Sequence, residues 1–148
     1  MNRVEALALV QSIGMDKVMT HAGRLLTDSL TGYGPALDRA FAAYIRLNEL
    51  GTTVTTTVVS SADEYGFQVL LRAVTYDLVL PMVAVNPDLS VDAPLTNVKF
   101  SQVFRSLKQL RDDAWVEAAN YGYGEMSNVG GFKLNLDFNE KQNANEYG

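Results

Sequence analysis

The residues of this chain with side chains able to do chemistry are few and scattered. His21 is the single histidine, and there is no cysteine among 148 residues. Zinc at His21 would need three carboxylates around one imidazole, an uncommon donor set. Serine–histidine–acid catalysis would rest on this one residue, and no G-x-S-x-G elbow accompanies it. A surface or loop histidine is the expected reading. Asp63-Glu64 and Asp112-Asp113 are paired carboxylates, but neighbours in a helix do not face one another. The first pair stands where a helix start favours negative charge, so capping is expected there rather than acid–base work. Gly122, Gly124, Gly130 and Gly131 follow a helical pattern, with no Lys-Ser or Lys-Thr after them, and read as a hinge rather than a phosphate loop. Lys99, Arg105, Lys108 and Arg111 make a basic stripe on one predicted helix. It fits a solvated face, a subunit interface or the wall of a DNA channel. The residues suggest no catalytic group, no metal site and no cofactor, and the chain is read as a non-enzyme.

Mostly helices must position these groups. Asn2 and Glu5 have capping-box spacing, and Gly14 is placed to stop the helix that follows. Residues 15–34 are ambiguous, with room for a turn or two of helix capped by Asp16. Pro35 suits a first helical turn, and Leu37, Ala40, Phe41, Tyr44, Ile45 and Leu47 form an apolar stripe ended by Gly51. Thr52 to Val59 is β-branched throughout and predicts an extended ribbon. Ser61 and Glu64 predict a second capping box, before a helix with Phe67, Leu70, Leu71, Val74 and Leu78 on one face. Pro81 is expected to end that helix, and 81–94 reads as a loop. Thr96 or Asn97 should then cap a long helix striped by Phe100, Val103, Phe104, Leu107, Leu110, Ala114, Trp115 and Ala118. Phe67, Leu71, Val74, Phe104, Leu107 and Leu110 are the expected central cluster, with Trp115 in the core.

After Gly130-Gly131 the period changes. Phe132, Leu134, Leu136 and Phe138 alternate with polar residues, the pattern of a half-buried strand. Such a strand must add to a sheet. Thr52 to Val59 of its own chain and an edge on another chain are both open to it. The expected fold is mainly α: a bundle of three to four helices over 1–124, with a short β-ribbon segment and an extended C-terminal arm over 125–148.

Composition narrows the partners. A chain of this length forms about one domain and buries roughly two-thirds of its unfolded surface, so it needs no disulfide or metal to fold. Lys and Arg number 12 against 17 Asp and Glu, a formal charge of −5. That balance disfavours wrapping free nucleic acid by counterion release. No apolar run is expected to reach the ~20 residues of a membrane span, and the first residues lack the pattern of a signal peptide. The absence of cysteine is neutral about compartment, a reducing cytosol being the easier fit.

Several strings in this order resemble the head-to-tail adaptor (connector) proteins of tailed bacteriophages, particularly short-tailed ones. They are ALALVQSIG at 6–14, PALDRAFAAYIRLNELG at 35–51 with an extended segment after it, and DEYGFQVLLRAVTYDLVLP at 63–81. The long helix at 97–120 and the trailing arm complete a likeness over about two-thirds of the chain. The chain departs from the pattern in having Thr52 where many relatives have Trp, and in lacking a longer β-rich insertion before residue 62. The resemblance implies a structural protein of the virion, at the head–tail junction, assembled in the host cytoplasm. It further implies a dodecameric homo-oligomeric ring that binds the portal protein above and a downstream tail protein (nozzle or hub) below. DNA would pass through the centre without its sequence being read, and no membrane would be involved. Phe132, Leu134, Leu136 and Phe138 would bind the portal. A non-viral helical assembly or regulatory module is the first alternative, and a small carboxylate enzyme the second.

Overall fold

The computed structural model describes residues 1–85 and 96–124, with backbone only at 84, 85 and 96–102. The chain is mainly α, with no strand among the described residues. Its helices are α1 (Arg3–Ser12), α2 (Asp16–His21), α3 (Gly34–Asn48), α4 (Glu64–Val85) and α5 (Thr96–Ala119), with a 3-10 turn at Ser61–Asp63 leading into α4.

The sequence of α4 explains the architecture. It is apolar on nearly every face, and a helix of that kind has to be enclosed. Phe67, Val69, Leu70, Leu71, Val74 and Val79 are all buried. α4 packs against α1, α2, α3 and α5. By length and composition Ser61–Val83 could cross a membrane, contrary to expectation, but 72% of its apolar window is buried inside the bundle. It is accordingly a core helix. Phe67 meets Phe41 and Tyr44 of α3 at ring-centroid distances of 4.8 and 5.7 Å.

Phe67, Leu71, Val74 and Leu107 are buried in one cluster, and Phe104 packs against it half-buried. Leu110 is a correction. It is 46% exposed, and Val103 of the same stripe is 45% exposed. The apolar stripe of α5 is wider than the groove it fills, which takes Leu107, Ala114, Trp115 and Ala118.

Local signals are met where their partners are local. The Asn2 side chain accepts from the Glu5 N–H while Glu5 accepts from the Asn2 N–H, completing the capping box. Gly14 has φ +101°, a conformation that favours glycine, and Pro35 stands in the first turn of α3. Asp16 does not cap α2. Met15 holds that position, and Asp16 instead accepts the Tyr33 hydroxyl at 2.6 Å.

Four further expectations are revised. α3 stops before Gly51, because Glu49 takes the left-handed conformation (φ 53°, ψ 48°) and turns the chain. The Ser61–Glu64 capping box does not form: Glu64 lies 3.0 Å from the Met1 ammonium, and Asp63 accepts from Ser60 and Tyr44. α4 continues through Pro81 to Val85. Pro81 is exposed, so its ring meets solvent, and packing along the rest of α4 offsets the lost N–H donor. Thr52 to Val59 is not a ribbon. Thr57 donates from both N–H and hydroxyl to the Thr53 carbonyl, at 3.0 and 2.7 Å, folding the threonines into a turn. Hydroxyls satisfy backbone groups that a lone strand would leave open. Among the described residues Val59 alone finds an extended partner, exchanging backbone hydrogen bonds of 2.8 and 2.6 Å with Met1. The arm at 125–148, and the part of the 81–94 loop beyond residue 85, lie outside the described residues.

Candidate functional site

The basic stripe of α5 divides. Arg105 and Lys108 are exposed, one turn apart, on the side of α5 away from α4. Arg111 is turned inward with its side chain 18% exposed, 3.0 Å from Asp112 and 3.8 Å from Asp77. Lys99 lies on the same helix, and its side chain is outside the described residues. Two of the four cations therefore stand one turn apart and exposed among the described residues. Phe132, Leu134, Leu136 and Phe138 also lie outside the described residues.

Arg111 belongs to a junction of three helices. The Asp77 carboxylate of α4, 8% exposed, accepts from Arg39 of α3 at 2.8 Å and from the Trp115 indole of α5 at 3.0 Å. The Arg39 guanidinium lies 5.1 Å from the centroid of the Trp115 ring, a cation–π arrangement. Among the described residues two guanidiniums face Asp77 and Asp112, and the junction ties α3, α4 and α5 together. Sequence reading missed it. The available signal was one carboxylate inside the apolar run AVTYDLVLP, because a buried carboxylate requires partners.

Arg3 is a second tie. Its guanidinium, with a side chain 12% exposed, reaches Asp28 through two hydrogen bonds of 2.6 and 2.8 Å. It also meets Asp38 at 2.7 Å and the Val54 carbonyl at 3.1 Å. Arg3 beside it holds the Asp28 carboxyl below its ordinary value. The Asp63 carboxyl is likewise lowered, by hydroxyl donation from Tyr44 and Ser60. Burial, with Asp63 and Tyr44 nearby, pushes the Tyr123 phenol up to about 12. These carboxylates are acceptors engaged with structural donors, not acids poised to move a proton.

His21 is exposed in the last turn of α2. Asp113 of the other carboxylate pair accepts from Gln109 at 2.9 Å. Among the described residues no three His, Cys, Asp or Glu side chains gather as a metal site would require. Exposed apolar side chains are spread over the surface, with Val103, Leu110 and Val116 on α5, and Tyr65 and Tyr121 meet edge to face, ring centroids 5.7 Å apart. Comparison of the chain with protein-family models, curated proteins and solved structures gives no match.

Proposed function

We propose that this chain is a structural virion protein of a tailed bacteriophage, joining the capsid portal to the tail as an oligomeric ring around the DNA channel. One observation carries the reading. The strings that resemble head-to-tail adaptor proteins coincide with α1, α3, α4 and α5, the helices that build the core. The likeness thus follows the architecture rather than loops. The role is positional, with helices side by side around the ring, arms from 125–148 tying it to the portal, and a downstream tail protein docking beneath. Arg105 and Lys108 would line the channel or a subunit boundary. The same half-exposed Val103 and Leu110 would also serve an assembly module outside any virion, which is the second reading.

Mixing the purified chain with portal rings and measuring mass tests the proposal. A discrete complex carrying many copies of the chain is expected, and a monomer without portal leaves the proposal intact, because an adaptor can wait for its template. Failure to bind any portal ring from short-tailed phages overturns it in favour of the second reading. Arg105→Glu with Lys108→Glu separates the roles of the surface: ring formation intact with genome retention impaired marks a channel wall, and failed assembly marks a subunit boundary.

A further inference from the structure

α5 ends in a lock. The Gly122 N–H donates to the Ala119 carbonyl at 3.1 Å and the Tyr123 N–H to the Ala118 carbonyl at 3.2 Å, the paired bonds of a Schellman motif. Gly122 takes the left-handed conformation that the motif requires, with φ +95°. The sequence reads this glycine as part of a hinge, and in the fold it is the fixed point of a turn. Three consecutive residues then rest on three different supports. The Tyr121 ring lies on Gly66 in the first turn of α4, where a Cβ would come within 2.8 Å of the ring. Gly122 lies against Leu47 near the end of α3, which a Cβ would meet at 3.0 Å. Tyr123 is 3% exposed, near Asp63 and Tyr44.

A helix capped for its own sake needs only the glycine and one apolar contact. Here the start of α4 and the end of α3 receive the same three residues, and residues 125–148 follow at once. Tension on a free helix end unwinds it one hydrogen bond at a time, because ends open most readily. Tension on a buried ring has to extract the ring and its neighbours together. We propose that Tyr121, Gly122 and Tyr123 moor the segment 125–148, so that a pull on it passes to α3 and α4 and leaves α5 wound. The use of that mooring rests on the proposed docking of the segment to the portal, and the mooring itself does not.

Tests use the full chain. It has no cysteine, so Gln68→Cys on α4 and Gly148→Cys supply two handles for single-molecule pulling. With the mooring intact, α5 should stay wound until the core gives way in one event. Tyr123→Ala should add an earlier step at lower force, each residue drawn out of α5 lengthening the chain by about 2 Å. Tyr123→Phe keeps the ring and should pull as the wild type does. The proposal is overturned if the wild type unwinds from the end of α5 before the core yields, or if a folded Tyr123→Ala chain lacks the early step. Should that variant lose its helicity, Gly66→Ala, which displaces Tyr121, decides in its place. Portal attachment is scored separately. A chain that binds no portal ring but yields in one event loses the partner alone, and one that binds the portal yet unwinds loses the mooring alone.

Discussion

Asp28 gives both its oxygens to Arg3, and its pKa in the folded chain lies below the ordinary 3.8. A carboxyl depressed by folding stabilises above its unfolded pKa, and that contribution disappears as pH falls through the folded value. Asp28→Asn should therefore lower Tm at neutral pH, and the gap from wild type should begin to narrow below about pH 4. Melts at pH 7 and pH 3 check this. Glu49 is the one non-glycine described residue with positive φ, a conformation in which a side chain is strained. Glu49→Gly should stabilise the protein by about 0.5–1 kcal/mol, measured by urea denaturation. The residues that could be read in advance were those whose partners lie within a turn, as with Asn2 and Glu5. Arg3 meets residues 28, 38 and 54, and no local pattern announces contacts that only the fold creates.

Periodicity at the level of elements reveals a helix more readily than it reveals how the helix is rotated. The stripe of α5 includes both Leu107 and Leu110, and a groove one helix wide takes only the first. Leu107→Ala should cost roughly 2–5 kcal/mol by leaving a cavity. Leu110→Ala should cost under about 0.5 kcal/mol in the monomer, as at other surface positions. Equal losses at the two sites would mean that α5 is rotated otherwise. Asp77→Ala would remove the acceptor that Arg39 and the Trp115 N–H share, a loss of about 2 kcal/mol in chemical denaturation, accompanied by a change in tryptophan fluorescence. The threonine run misled because β-branching speaks for extension only where another strand supplies partners, and here hydroxyls supplied them. Pro81 misled for a related reason, since tertiary enclosure of α4 outweighs the breaker.

For the whole molecule, the mainly helical fold was legible in the spacing of apolar residues, and its proposed site was legible only as a composition of surfaces. A ring would be a property of several copies, which a single chain displays only as exposed surface. Burying Phe132, Leu134, Leu136 and Phe138 on a portal would be worth on the order of 6–12 kcal/mol gross, against about 1–2 kcal/mol of backbone entropy per ordered residue. Each arm is then a weak tie, and many acting at once make a firm one. Deleting 127–148 should leave helicity and Tm nearly unchanged while abolishing portal attachment, with a lowered Tm pointing instead to an arm that packs on its own chain. Arg3 has one more consequence, and it concerns time. Every group that fastens α1 through Arg3 and Met1, from Asp28 to Val59 and Glu64, is synthesised after α1 itself. On the ribosome α1 must wait undocked until Asp28 and Asp38 emerge, and its last tie forms only when Glu64 follows. In the finished protein the amides of α1 should exchange with deuterium before those of α4, which is enclosed by α1, α2, α3 and α5.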